Sequence, residues 1–389
     1  MKEVVIVTAV RSAVGKGKKD GALAAVHPTE VSACVMRAAI ETAGIEAGIV
    51  DDIYWGCAMP EASQGLNVAR LSSLRAGIPV EVPSATINRF CSSGLQTVAL
   101  AAQEIMCGMA DVVLAGGVEM MSQVPMSGYH TRLDPELTES YIGMGFTAER
   151  VAERWKVTRE DQDQWALRSQ QKAARAMSEN RFAGQLVPIP TAKVAWKGAK
   201  KEACETMFDR DELPRTDTTM EGLAKLKPAF KVNGTVTAGN ASPYSDGAAA
   251  VLLMSSERAK ELNLKPLARF ITFAAAGVAP DVMGIGPIKA VPKALKRAGL
   301  AMKDVKLIEL NEAFAAQVVA VVRELGMPEG CVNVNGGAIA LGHPLGATGS
   351  KLTTQLVHEL GRRGGGVGLV TMCIGGGMGA AGLFEVYAA

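Results

Sequence analysis

The last third of the chain echoes its first third, and a pattern used twice leaves few folds open. Val291 to Leu300 (Ala294, Leu295, Ala298, Gly299, Leu300) follows the spacing of Met36 to Ile45 (Ala39, Ile40, Ala43, Gly44, Ile45). An aspartate and a strand-like run come next in each, Asp304-Val305 and Asp52-Ile53. Gly346 to Leu360, followed by Val367 to Val370, likewise echoes the helix-like Leu95 to Met106 and the run Asp111 to Ala115 behind it. At 389 residues the chain exceeds the usual single core, so two related halves are expected.

Strand and helix signals alternate through the first part, which is the α/β signature. Val4 to Ala9 reads as a buried strand and Pro28 to Ala43 as an amphipathic helix closed by Gly44. A strand at Ile53 to Cys57, a helix from Asn67 to Ala76, the helix closed by Gly108, and a strand from Asp111 to Ala115 ending at Gly116-Gly117 follow. From about Val118 the alternation gives way to Met-rich, Pro-containing and charged segments, with one clear helix from about Arg159 to Glu179. This stretch is expected to be an insertion covering a site. The loop Thr237 to Ser242 then leads to a strand at Ala248 to Met254 that returns to the first core. The expected division is an N-terminal domain over 1–266, with a loop domain at about 118–245, and a C-terminal domain over 267–389.

Cys91 in Asn88-Arg89-Phe90-Cys91-Ser92-Ser93-Gly94 falls where a helix starts. Unpaired N–H groups and the helix dipole there predict a thiolate near neutral pH. The competing reading is a small buried apolar residue, as most free cysteines are. Three clusters crowd the C-terminal part: Asn311-Glu312-Ala313-Phe314, Gly342-His343-Pro344-Leu345-Gly346, and Cys373-Ile374-Gly375-Gly376-Gly377. Of the histidines His27, His130, His343 and His358, only His343 stands between Gly and Pro at a helix start, where backbone approaches a ligand closely. Singly, each cluster is weak, since a lone His or Cys is more often structural, and Asn311 reads also as a turn or cap residue. Together with Cys91 they supply a nucleophile, a base and a second acid/base. Two phosphate-loop patterns are decoys. Gly377 to Gly382 fits GxGxxG but too little chain follows it, and Gly346 to Lys351 lacks Lys directly after the second glycine.

The four blocks, 88–94, 311–314, 335–346 and 373–377, resemble the signature blocks of the thiolases in family order. The resemblance implies a duplicated five-layer α-β-α-β-α fold with an inserted loop domain binding coenzyme A. It implies that a 3-ketoacyl-CoA acylates Cys91, that His343 accepts the Cys91 proton, and that Cys373 is the second acid/base. His343 with a water held by Asn311 would form one site for negative oxygen, and the backbone N–H groups of Cys91 and Gly375 the other. Coenzyme A contacts would fall on Arg215, Ala229, Phe230, Ala238 and Ser242. Met144, Met283 and Phe314 would line the acyl end, although core packing explains these three equally well.

The implied activity is cleavage of 3-ketoacyl-CoA. The alternatives are an acetoacetyl-CoA thiolase condensing two acetyl-CoA and a non-catalytic acyl-CoA-binding protein. The short segment from Val124-Pro125-Met126-Ser127 to Glu149, with Gly143 in place of a family His, looks like that of fatty-acid-oxidation thiolases, whereas Thr237 to Ser242 resembles the acetoacetyl-specific kind. The resemblance also implies a homodimer or homotetramer, with a hydratase/dehydrogenase partner possible, and coenzyme A as substrate with no cofactor.

Composition narrows the rest. A net charge of +2, with a single short lysine run at Lys16 to Lys19, gives no footprint for nucleic acid. Seven scattered cysteines without CxxC spacing point to neither a disulfide framework nor a metal site, and suit a reducing compartment. Without a signal-like N-terminus or an apolar run of membrane-span length, the expectation is a cytoplasmic protein with no membrane span.

Overall fold

A computed structural model describes residues 1–126, 128–129, 132–197 and 200–389, and the side chains of these outside 193–203. Ser127 and His130 lie outside the described residues. The first half comprises β1 (Val4–Ser12), β2 (Gly15–Lys16), α1 (Pro28–Ala43), β3 (Asp52–Gly56), α2 (Val68–Arg75), β4 (Ala85–Ile87), α3 (Ser93–Met106) and β5 (Val112–Met120). The inserted stretch carries α4 (Met144–Arg154), α5 (Arg159–Ser178), β6 (Leu186–Val187), β7 (Ile189–Lys197), β8 (Lys200–Phe208) and α6 (Met220–Ala224). The chain returns through β9 (Ser245–Ser255) and α7 (Ser256–Glu261). The second half follows as β10 (Ala268–Gly277), α8 (Gly286–Ala298), β11 (Val305–Leu310), α9 (Ala315–Leu325), α10 (Ala338–Leu341), α11 (Leu345–Arg362), β12 (Gly366–Ile374) and β13 (Met378–Val386).

The strands run in the order β11-β12-β13-β10-β1-β9-β5-β3-β4, and the two arms meet where Val5 and Ile6 pair with Arg269 and Ala268. Pairing is duplicated arm for arm. β3 and β5 are parallel, as are β11 and β12; β9 is antiparallel to both β5 and β1, as β13 is to β12 and β10. The parallel β3–β4 pair even has a remnant counterpart, a single parallel bridge from Ile308 to Val332.

Three cores separate the layers. Val31, Val35 and Met36 of α1 pack with Leu114 and Leu252 on the outer face of the first arm. Leu95 and Val98 of α3 and Leu352 and Leu356 of α11 lie between the arms, against Val113 and Val251 on one side and Val370 and Phe384 on the other. Val291 and Leu295 of α8 and Val318 of α9 cover Leu369 and Leu383 on the far side. This is the expected five-layer α-β-α-β-α fold. Each such fully buried aliphatic side chain contributes roughly 1.5–3 kcal/mol, so the stacking of layers is the main stabilising term.

Local chemistry sets the ends of the elements. α1 starts with Pro28 behind the capping His27 and ends at Gly44 at φ 67°, and α8 ends likewise at Gly299 at φ 66°. Thr158 and Asp161 form a capping box on α5. β5, however, does not end at Gly116-Gly117. It continues to Met120 because these glycines admit close neighbours: a Cβ on Gly116 would stand 2.2 Å from the Trp55 ring, and one on Gly117 2.2 Å from the Gly346 carbonyl. Both phosphate-loop patterns are structural, since residues 377–382 lead into β13 and 346–351 form the first turns of α11. The insertion is tied to the core by Arg11, which holds Asp211 with two bonds of 2.8 and 2.9 Å beneath the Phe182 ring.

Candidate active site

Cys91 lies in a single 3₁₀ turn, Phe90–Ser92, directly ahead of α3. Asn88 and Ser93 hold that turn. Asn88 Oδ1 accepts the Phe90 N–H at 2.8 Å, while Ser93 Oγ accepts from Arg89 N–H at 2.9 Å and donates to the Phe90 carbonyl at 2.7 Å. Cys91 packs among Ala58, Leu345, Met59, Met121 and Met126. Burial pushes its thiol up to about 11, although the backbone N–H groups of Gly375 and of Cys91 itself favour the thiolate. The expectation of a thiolate near neutral pH is thereby corrected. A helix start favours an anion, but here desolvation is the larger effect and Cys91 rests as a neutral thiol.

His343 is set two residues before α11, and its backbone N–H donates to Ser245 Oγ at 3.0 Å. Thr348 Oγ1 gives its one proton to the Pro344 carbonyl at 2.9 Å, so it accepts from His343 Nδ1–H at 2.6 Å. That fixes the tautomer and leaves Nε2 as the basic nitrogen, 3.2 Å from Asn311 Nδ2. Burial, with the Lys351 charge adding to it, holds the imidazole down to about 3. His343 is therefore a neutral base. Asn311, directly after β11, has its N–H on the Thr371 carbonyl at 3.0 Å, and its buried Oδ1 has no hydrogen-bond partner among the described residues.

Cys373 is fully buried near the end of β12. Burial, and after it the proximity of Cys91, pushes its thiol far up. Around it pack Met144, Met283 and Phe314, with Ala148, Val236 and Ala313. The tight turn from β12 into β13 places Gly376 at φ 77° and Gly377 at φ 88°, which only glycine adopts without strain. This turn aims the Gly375 N–H at Cys91.

The residues expected around coenzyme A fall into two groups. Phe230 stands edge-on to Phe314 with ring centroids 6.2 Å apart. Its loop closes through Ala229 N–H to the Val236 carbonyl at 2.9 Å, and Ser242 N–H reaches the Ala313 carbonyl at 3.0 Å. Ala238 is exposed on the same loop. Phe230, Ala229, Ala238 and Ser242 are thus brought beside the Asn311 block. Arg215 is exposed, anchored to α5 through its N–H on Gln170 Oε1 at 2.8 Å, and among the described residues no hydrogen bond or ion pair joins it to the other four.

Three polar residues of the site were given no role in the sequence reading, although Glu312 stood within the quoted Asn311 cluster. Glu119 is buried, and its carboxylate accepts from the N–H groups of Ala58 and Gly346 at 2.8 Å, from Met59 at 3.2 Å and from Gln64 Nε2 at 2.8 Å. It joins the first turn of α11 to the loop after β3. Burial raises its pKa against those four donors. Glu312 ties α5 to the Asn311 block, accepting from Trp165 Nε1 at 2.9 Å and from Ser169 Oγ at 2.6 Å. Thr348 orients His343. A lone carboxylate within the apolar run 112–121 was the available signal for Glu119; nothing marked Thr348. Among the described residues no cluster of His, Cys, Asp or Glu is arranged to hold a metal.

Two family models, described as thiolase N-terminal domain and thiolase C-terminal domain, match residues 4–257 and 264–386. The chain is a member of the thiolase family. Among thiolases, a 3-ketoacyl-CoA thiolase of Bacillus subtilis is 54% identical over 99% of this chain and 100% of its own. An acetyl-CoA acetyltransferase of Pseudomonas aeruginosa is 48% identical over 98% of each. The solved human mitochondrial 3-ketoacyl-CoA thiolase superposes with a TM-score of 0.89 at 40% identity, covering 100% of this chain and 99% of the other.

Proposed function

We propose that this thiolase cleaves 3-ketoacyl-CoA with free coenzyme A, reversibly, through an acyl-Cys91 thioester. His343 Nε2 takes the Cys91 proton as the sulfur attacks the 3-keto carbonyl. The C2–C3 bond breaks, Cys373 protonates C2, and acetyl-CoA leaves. Coenzyme A then gives its thiol proton to the Cys373 thiolate as its sulfur attacks the thioester carbonyl; the bond to the Cys91 sulfur breaks, protonated His343 returns its proton to Cys91, and the shortened acyl-CoA departs. The N–H groups of Cys91 and Gly375 hold one negative oxygen; protonated His343 and a water on Asn311 hold the other.

The observation that carries this reading is the meeting of two buried sulfurs with different partners: Cys91 receives the Gly375 N–H, whereas Cys373 faces Cys91 from among Met144, Met283 and Phe314. Coenzyme A is read as substrate, lying along Phe230, Ala229, Ala238 and Ser242 with Arg215 further out, and no cofactor is needed. Because relatives carry both names, condensation of two acetyl-CoA is the second reading. Retention of Cys91, His343 and Cys373 argues against a non-catalytic acyl-CoA-binding protein.

We read the protein as cytoplasmic, in keeping with seven unpaired cysteines and, among the described residues, no helix long and apolar enough to cross a membrane. A homodimer or homotetramer fits the open edge of β4 beside exposed Leu66, Leu71 and Leu74; a hydratase/dehydrogenase partner would supply 3-ketoacyl-CoA. The test compares kcat/KM for coenzyme-A-dependent cleavage of acetoacetyl-CoA and of a long-chain 3-ketoacyl-CoA. Activity on both supports fatty-acid degradation, activity on acetoacetyl-CoA alone supports the second reading, and activity on neither overturns both.

A further inference from the structure

The residue before the nucleophile is in a conformation its side chain disfavours. Phe90 has φ of 42°, a region where glycine and asparagine are at ease and a bulky aromatic is not. Such outliers persist only where the surroundings over-determine them, and they cluster at functional sites. Here the turn is held from several sides. Asn88 Oδ1 takes the Phe90 N–H at 2.8 Å, Ser93 Oγ donates to its carbonyl at 2.7 Å, and Arg89 Nε binds Gln96 Oε1 at 2.7 Å. Asn88 is itself anchored through Nδ2 to the Ala58 carbonyl at 3.1 Å.

Core packing does not explain the ring, because it is 42% exposed while Cys91 beside it is 9% exposed. Its position does. A Cβ placed on Gly375 would stand 4.0 Å from Phe90 Cδ2 and 3.7 Å from Met144 Sδ, and one on Gly376 would stand 3.9 Å from Phe90 Cε2. The ring and the Met144 thioether therefore flank the glycine whose N–H addresses the Cys91 sulfur.

We propose that Phe90 is a water shield: its strained turn sets the ring over the acyl-Cys91 thioester, so that coenzyme A and not water takes the acyl group. This inference rests on the acyl-Cys91 reading above. In the reaction it suppresses, a water oxygen bonds to the thioester carbonyl carbon and the carbon–sulfur bond breaks. A carboxylic acid leaves, and the proton shed by water ends on Cys91 by way of His343.

The test uses the full chain as wild type and as Phe90→Ala, Phe90→Gly and Phe90→Leu. Each is acylated with acetyl-CoA, stripped of free coenzyme A, and followed by intact mass as the acyl group is lost, first in buffer and then with coenzyme A added. The ratio of hydrolysis to thiolysis should rise roughly tenfold in Phe90→Ala and Phe90→Gly and less in Phe90→Leu, which keeps bulk. Phe90→Gly adopts the turn without strain, so a folding defect in Phe90→Ala does not decide the matter. An unchanged ratio in Phe90→Gly overturns the shield. A wild type that takes no acyl group on Cys91 overturns the acyl-enzyme reading itself, a result distinct from an unchanged ratio.

Discussion

The two halves place chemically different groups at matching backbone positions. Cys91 stands two residues before α3, and His343 two residues before α11. Glu119 is the next-to-last residue of β5, and Cys373 the next-to-last residue of β12. The second half also reaches across to the first. Gly375 of the second half directs its N–H at Cys91, and Gly346 of the second half donates to Glu119 at 2.8 Å. The difference teaches how a duplicated fold acquires asymmetric chemistry: the copy supplies position, and one residue per position puts a thiol opposite an imidazole and a carboxylate opposite a second thiol. Neither half holds a complete site.

If that division of labour is right, removing each member should fail in its own way. Cys91→Ala should form no acyl-enzyme by intact mass and lose at least about 10⁴-fold in kcat; normal turnover would end the comparison at its first term. Cys373→Ala should still acylate in a single turnover but lose about 10²–10⁴-fold in steady-state kcat. An unimpaired Cys373→Ala would leave that thiol with a packing role only. Thr348→Val keeps the shape beside His343 but removes the acceptor for Nδ1–H, and should reduce kcat roughly ten- to a hundredfold with KM little changed. The smallest effect concerns Glu119→Gln. Its amide sets an N–H₂ against buried N–H donors, costing about 1–3 kcal/mol of stability, read as a lower Tm. A Tm equal to wild type would show that the carboxylate does not bind the halves together.

Much of the fold could be read from residues. The echo of Met36 to Ile45 in Val291 to Leu300 is the pair α1 and α8, each closed by a left-handed glycine. Cys91, His343 and Cys373, the proposed nucleophile, base and second acid/base, stood out in the sequence as residue types at special positions. What could not be read depended on neighbours distant in sequence. Gly116-Gly117 looks like a strand end until Trp55 and the Gly346 carbonyl are seen against it. Glu119 takes its partners from 58–64 and 346, and Thr348 means nothing until helix geometry turns it back to His343. The protonation state of Cys91 also misled, because the helix start is local whereas the burial that outweighs it is assembled from both halves.

The central claim is that Cys91 and His343 rest as a neutral thiol and a neutral imidazole, and the pH dependence of Cys91 alkylation tests it most directly. With the thiol at about 11, the iodoacetamide modification rate of the free enzyme, followed by mass at Cys91, should keep climbing through pH 9 and 10 without a plateau. A plateau already reached below about pH 7 would instead mean a preformed thiolate–imidazolium pair, and would contradict the account.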